Sequence, residues 1–400
     1  MSSRNSIVSA LVRPMARRDV QELHRASTEL ELLFDLVSVI AIAAAAAGLH
    51  HAVADGYALD GVIRFSCAFF GIWWAWMNFT WFASAYDNDD TVFRLLTMVI
   101  MAGALAMAAG INIFFATLKL KLVVIGYVIM RLAMVALWLR AARHDLTGRR
   151  TALWYAGGIT LAQLFWIVFI NLSLAGAIFY GFFAVGVVLE LGVPLIAEHR
   201  SSTPWHRHHI IERYGLLNII VLGETLLAAS IALQHTSADH LDIQLVRIAV
   251  AALLILFSMW WLYFSREEQL QTQDLSRALV WGYGHILVFA SGAAVGAGIA
   301  VLVDIATDHA QVTPMVGHYS VAIPVALYLG GLWLVRDRFV LSGLAKHVLL
   351  GFAVIIVIVP MAPLALEVIT VLTVLSVIVR ARLARKPPEK TGRRVREQPL

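Results

Sequence analysis

The sequence predicts an all-α protein: a polytopic integral membrane bundle of about twelve transmembrane helices. Of its 400 residues, 60% are hydrophobic, whereas soluble domains average roughly 45 to 50% apolar residues. The mean hydropathy is +0.78. Apolar windows of about 20 residues, the length that crosses a bilayer as a helix, recur along the whole chain.

Twelve candidate helices follow one another with short connections. The first six are expected near residues 30–50, 61–86, 92–116, 121–140, 151–172 and 174–196. The second six are expected near residues 210–233, 243–264, 277–303, 318–335, 343–360 and 363–381. The last two have almost no loop between them, because only Pro360-Met361-Ala362-Pro363 separates them.

The distribution of charge sets the expected orientation. Arginine and lysine concentrate in the N-terminal segment, in the C-terminal tail and in the connections after the fourth, sixth, eighth and tenth helices. The connections on the opposite side hold only Lys119 and Lys121. This alternation fits the positive-inside rule with both termini in the bacterial cytoplasm. The net charge of +5 therefore reflects topology in the bacterial cytoplasmic membrane, and we expect no nucleic-acid partner.

An internal repeat divides the chain into two halves. Matching residues lie 187 positions apart in three pairs: Trp73 with Trp260, Trp74 with Trp261, and Asp87 with Asp274. Six helices is an even number, so the two halves are expected to run parallel, related by an axis along the membrane normal. The expected organisation is a basic cytoplasmic segment 1–26, a first half 27–197, a second half 198–382 and a basic, disordered tail 383–400.

Carboxylates inside apolar runs are the main functional candidates. Glu224 stands in the middle of the seventh helix, where a charge costs on the order of 2.5 to 3.5 kcal/mol and must face protein, water or a cation. Asp35 lies near the start of the first helix, one turn beyond Glu31, which forms a capping box with Thr28. Because the first and seventh helices correspond in the repeat, we expect Asp35 and Glu224 both to face the seam between the halves.

Two arginines extend this set of candidates for solute or ion binding. Arg131 is nearly central in the fourth helix and needs an acidic neighbour, which Glu190 or Glu224 could supply. Arg213 shares a helical face with Glu224 but lies about 16 Å away along the axis, so the two cannot pair directly.

The acidic connection Asp87-Asn88-Asp89-Asp90 leads into the third helix and interrupts the basic pattern. One interpretation is N-capping and complementation of the helix dipole. The other is a cytoplasmic latch or cation site between the halves, with Asp87, Asp89, Asp90 and Arg94 as gating candidates.

Recognised catalytic and cofactor motifs are absent from the sequence. There is no P-loop, dinucleotide fingerprint, Gly-x-Ser-x-Gly or His-Glu-x-x-His. His206, His208 and His209 precede the seventh helix, but no cysteine or second spaced pair of ligands supports a metal site there. We therefore expect no catalytic residue, no metal and no cofactor.

Five segments resemble the bacterial low temperature requirement A (LtrA) family of membrane proteins. They span most of residues 25 to 300: Glu31-Leu32-Leu33-Phe34-Asp35-Leu36-Val37, Trp73-Trp74-Ala75-Trp76, Asp89-Asp90 with Phe93-Arg94-Leu95, Glu212-Arg213-Tyr214-Gly215-Leu216, and Val221-Leu222-Gly223-Glu224-Thr225. The family usually has a second Phe where Leu33 stands and an aromatic residue where Ser38 stands. The resemblance implies a multi-spanning bacterial protein linked to growth in the cold, and implies no particular biochemical activity.

These residues favour a secondary transporter or permease over an enzyme. In this hypothesis Asp35 and Glu224 bind a proton, a cation or a polar solute while the halves rock against each other. The expected partners are membrane lipid and a small solute or cation. The alternatives are a membrane-embedded lipid-modifying enzyme, with Glu224 and His285 for acid–base work, and a sensor or scaffold for cold adaptation.

Overall fold

A computed structural model describes residues 13–19, 22, 25–199, 202–234, 242–265 and 275–384, and within these residues the secondary structure is entirely helical. The prediction of an all-α, polytopic bundle is confirmed. The repeat partner Asp274 and residues 385–400 of the predicted tail lie outside the described residues.

The first half contains six helices close to the predicted windows. They are α1 Glu29–Ala54, α2 Ala58–Tyr86, α3 Thr91–Thr117, α4 Lys121–His144, α5 Arg149–Asn171 and α6 Gly176–Glu198. The predicted capping box starts α1, since the Thr28 side chain accepts from the Glu31 backbone and the Glu31 carboxylate accepts from the Thr28 N–H. Helix α3 starts at Asp90, whose carboxylate accepts from the Phe93 N–H.

The second half also forms six helical segments. They are α7 Arg207–Gln234, α8 Ile243–Phe264, α9 Leu275–Ala306, α10 Pro314–Val340, α11 Gly343–Met361 and α12 Ala365–Leu383. In the described part of the chain, the eleven helices α1 to α11 are long and apolar enough to cross a membrane. Helix α12 holds three charged residues among its 19: Glu367, Arg380 and Arg382.

The order of helix packing recurs in the two halves. In the first, α1 packs against α2 and α3, and α3, α4, α5 and α6 then pack in sequence. In the second, α7 packs against α8 and α9, and α9, α10, α11 and α12 follow in the same way. Such a recurrence is what a duplicated six-helix unit would produce, although the duplication itself stays a prediction.

Helix α9 is the centre of the bundle and joins the halves. It is the most buried of the apolar helices and packs against α1 from the first half as well as α7 and α10 from its own. Helices α1 and α7 also touch each other. The end of the bundle at which α1 begins and α2 ends is called the basic end below, because the arginine-rich connections lie there.

Candidate functional site

Four ionisable side chains meet where α1 contacts α7, near the basic end. Glu31 and Asp35 come from α1 and His209 and Arg213 from α7, and we call these four residues the seam cluster. Arg213 Nη2 lies 2.5 Å from Asp35 Oδ1, and Arg213 Nη1 lies 3.2 Å from Glu31 Oε1. His209 Nε2 is also 3.2 Å from the Glu31 carboxylate. The side chains are essentially sealed from solvent, at 0 to 1% exposure.

Helical spacing explains why the cluster forms. Glu31 and Asp35 are four residues apart, as are His209 and Arg213, so each pair lies on one face of its helix. Both pairs occupy the same turns of their helices, because α1 begins at Glu29 and α7 at Arg207. An acidic stripe on the first helix of one half therefore faces a basic stripe on the first helix of the other. The sequence reasoning did not assign His209, although its spacing from Arg213 was the available signal.

Some buried polar atoms of the seam cluster have no hydrogen-bond partner among the described residues. Trp76 of α2 donates its indole N–H to Asp35 Oδ1 at 2.7 Å. Among the described residues, Asp35 Oδ2 and His209 Nδ1 have no hydrogen-bond partner although both are buried. Buried polar groups are normally paired, and exceptions need a reason such as a bound water, an ion or a functional role.

Glu224 is remote from the seam cluster. It lies eleven residues beyond Arg213 on α7, about 16 Å further along the axis. Its backbone packs on Gly296 of α9, where an added Cβ would lie 2.7 Å from the Glu224 carbonyl carbon. The side chain is half-buried, and within the described residues no hydrogen bond or ion pair reaches it. The structure thus does not bring Asp35 and Glu224 together, because Asp35 lies near the start of α1 whereas Glu224 lies several turns beyond the start of α7.

Glu224 and His285 also lie at different depths in the bundle. His285 lies eleven residues before Gly296 on α9, about 16 Å along that helix. It is fully buried, with Nδ1 2.7 Å from the Trp281 carbonyl oxygen and Nε2 3.2 Å from the Tyr263 hydroxyl. The two residues suggested for lipid chemistry therefore do not form an acid–base pair.

Glu190 is the partner that the structure gives Arg131. Arg131 Nη2 lies 2.7 Å from Glu190 Oε2, and both side chains are buried. Four further donors, all in the first half, surround the same carboxylate: Trp74, Tyr127, Gln163 and Trp166. Five donors fill all of the roughly four lone-pair sites of a carboxylate, so this network anchors α2, α4, α5 and α6 to one another.

A second buried network, which the sequence reasoning missed, ties the helices of the second half. Asp337 accepts from Arg336 Nε at 2.8 Å and from Arg380 Nε at 2.6 Å. Arg336 also donates to the carbonyl oxygens of Leu262 and Tyr263 at the end of α8. This network joins α8, α10 and α12, and the adjacent Arg336-Asp337 pair directly after the predicted window 318–335 was its signal.

The acidic connection before α3 forms contacts within the first half and the N-terminal segment. Asp90 caps α3 and binds Arg140, and the exposed Asp89 pairs with Arg94 at 2.6 Å. Arg140 and the Phe93 N–H hold the pKa of Asp90 below its usual value although burial opposes this. The capping interpretation therefore applies to Asp90.

Asp87 differs from its neighbours in the acidic connection. Its carboxylate accepts from the Asp89 N–H at 2.8 Å and is buried, and none of the described residues forms an ion pair with it. Burial, assisted by the negative charge of Glu31, raises the pKa of Asp87 to about 6.

One known protein family matches most of the chain. No curated protein and no solved structure matches it. The model of the family described as "Bacterial low temperature requirement A protein (LtrA)" matches residues 26–381, which include the whole seam cluster, Glu190 and Glu224. The chain belongs to the bacterial low temperature requirement A family.

Proposed function

We propose that this protein is a secondary transporter or permease that moves a small solute by alternating access, with the seam cluster as the closure of its basic end. In this proposal the basic end faces the cytoplasm and the protein resides in the bacterial cytoplasmic membrane. The observation that carries the proposal is that the first helix of each half supplies two members of a fully buried acid–base cluster.

A groove at the other end of the bundle supports this proposal. It has a volume of about 300 Å³ and lies between α1 and α2 of the first half and α9 and α10 of the second. Its lining is mainly apolar, with His50, Ser66, Ser291, Tyr319 and Ser320 as polar members. Halves that are sealed at one end and leave a groove between them at the other correspond to one state of an alternating-access cycle. At the groove end the His50–Asp304 pair and the hydrogen bond from the Gln311 N–H to the Ala54 carbonyl still join the halves.

The charge of the seam cluster suggests how the closure could respond to protons. Glu31 and Asp35 carry two negative charges as carboxylates, and Arg213 carries one positive charge. With a neutral His209 these four side chains carry one net negative charge, and the buried Arg25 guanidinium and Asp87 carboxylate act on Glu31 from outside the cluster. One proton, taken up by His209 or by a carboxylate, balances the cluster and makes its opening dependent on proton binding.

The test is the accessibility of two introduced cysteines to a membrane-impermeant maleimide, in a protein whose Cys67 is replaced by Ser. Ser320→Cys reports on the groove, and Ser38→Cys lies buried on α1 just beyond Asp35. We expect Ser320→Cys to react only from the side opposite the basic end and Ser38→Cys to be protected from both sides.

Breaking the cluster should reverse this pattern. With Arg213→Gln, which leaves Glu31 and Asp35 without their shared cation, we expect Ser38→Cys to react from the basic end while labelling of Ser320→Cys falls, because the two ends open alternately. Arg247→Gln is the control, since it breaks the exposed ion pair with Glu367 far from the seam. If neither cysteine changes its reactivity in Arg213→Gln, the bundle is static and the proposal fails.

A further inference from the structure

A second cavity lies between the halves at the basic end, on the far side of α2 from the seam cluster. Its volume is about 40 Å³. Helices α2, α4, α5 and α6 of the first half enclose it together with the 202–206 connection and α9 of the second half. Five aromatic side chains line it: Trp81, Trp138, Tyr155, Trp205 and Tyr283.

One carboxylate, Glu198, lines this aromatic cavity. Its side chain belongs to a residue that is only 7% exposed. Tyr155 donates to it at 2.9 Å, and the Thr203 hydroxyl and N–H each donate at 2.8 Å. All three donors are neutral, and across the described residues no Lys, Arg or His forms an ion pair with Glu198. The seam cluster, Asp90, Glu190 and Asp337, by contrast, all have a cationic partner.

Aromatic rings surround the carboxylate. Trp81 and Trp205 meet edge to face with centroids 5.0 Å apart, and Trp138 stacks on Tyr155 at 4.1 Å. Aromatic faces carry negative electrostatic potential and attract desolvated cations, and binding of alkylated ammonium groups is their best-known functional use. The charge of Arg17 also acts on Glu198, but Arg17 is paired with Asp145 at 3.6 Å. A buried carboxylate with no ion-pair partner among the described residues, inside an aromatic wall, therefore fits an organic cation whose N–H binds the carboxylate and whose methyl groups contact the rings.

We propose that this cavity binds a small alkylammonium ion of the size of methylammonium or dimethylammonium, and that this ion is the solute of the transporter proposed above. A volume of 40 Å³ holds roughly three water-sized groups, which sets the size. A single carboxylate is too few oxygen ligands for a hard divalent cation.

A hydrogen bond joins the cavity to the closure. Trp81 of the cavity wall donates its indole N–H to the Tyr214 hydroxyl at 3.0 Å, and Tyr214 directly follows Arg213 of the seam cluster. The occupant of the cavity is thereby coupled to the α7 turn that closes the basic end.

The experiment measures binding by the intrinsic tryptophan fluorescence of the full-length protein in lipid nanodiscs. Methylammonium and dimethylammonium chloride are titrated against sodium chloride, ethanol as a neutral molecule of similar size, and tetramethylammonium chloride. We expect saturable binding of the two small amines, no saturation with ethanol, and at least tenfold weaker binding of tetramethylammonium, which has no N–H and exceeds the cavity.

Variants locate the site. Glu198→Gln removes the negative charge but keeps a carbonyl acceptor for Tyr155 and Thr203, and we expect it to weaken methylammonium binding at least tenfold. Trp205→Leu should weaken it about tenfold through loss of the ring. The matched controls are Glu367→Gln and Trp261→Leu, both at exposed positions outside the cavity, and they should bind as the unaltered protein does.

Three outcomes overturn the inference: no saturable methylammonium signal, equal binding of ethanol, or unchanged binding in Glu198→Gln. If Glu198→Gln does not fold, Trp205→Leu and the selectivity series of the unaltered protein decide instead. The cysteine-labelling experiment tests the proposed function independently of amine binding. If the protein binds amines but the labelling of Ser38→Cys and Ser320→Cys never changes, the protein binds amines without transporting them. If the labelling changes but no amine binds, the protein is a transporter for another solute.

Discussion

Replacing Arg213 by glutamine removes the only permanent positive charge from the seam cluster. Two buried carboxylates, Glu31 and Asp35, then face each other with His209 as their sole titratable neighbour in the cluster. Loss of one partner from a buried ion pair costs about 3 to 5 kcal/mol, because the remaining charge is neither hydrated nor compensated. We therefore expect Arg213→Gln to lower the free energy of unfolding by about 3 to 5 kcal/mol.

The matched control is Arg247→Gln, the same substitution in an exposed ion pair. The side chains of Arg247 and Glu367 are 48% and 37% exposed, and such pairs contribute about 0 to 1 kcal/mol. The assay is unfolding of the purified protein by SDS titration, followed by tryptophan fluorescence.

A double variant separates charge from packing. Arg213→Gln with Asp35→Asn leaves a single carboxylate beside His209, so we expect it to recover at least about 1 kcal/mol of the loss. Equal losses in Arg213→Gln and Arg247→Gln, or no recovery in the double variant, would refute the claim that the seam cluster holds the halves together.

The remaining predictions concern single carboxylates. Glu224→Gln should change the free energy of unfolding by less than about 1 kcal/mol, because no described residue pairs with Glu224; loss of growth in the cold at normal expression would then indicate a role in function. Glu190→Gln should destabilise by about 3 to 5 kcal/mol since it leaves Arg131 buried and unpaired, and adding Arg131→Met should restore part of this loss in the same SDS assay. Asp87 has a pKa of about 6 in the folded protein against 3.8 in the unfolded chain, so its contribution is complete below pH 3.8 and is lost as the pH rises through 6. Asp87→Asn keeps the acceptor for the Asp89 N–H and should therefore gain up to about 3 kcal/mol over the unaltered protein between pH 4 and pH 7, which unfolding at both pH values measures.

Local chemistry explains which features of the fold could be predicted from the sequence. The length of each apolar window and the hydrogen bonds inside one helix do not depend on distant residues. The helix windows, the Thr28–Glu31 capping box and the Asp90 cap were therefore predictable. The need of Arg131 for a buried acid also limited its partner to two carboxylates, of which Glu190 is the one in place.

The sequence by itself determined a many-helix membrane protein, the positions of its helices and the presence of carboxylates inside apolar runs. Only the tertiary structure decided that Asp35 meets Arg213 while Glu224 stands apart, and that Glu198 closes an aromatic cavity. The physical reason is that the depth at which two helices touch, and the face each presents, depend on side-chain packing between segments more than 100 residues apart. A carboxylate in an apolar run needs a partner, but the run does not specify which helix will supply it.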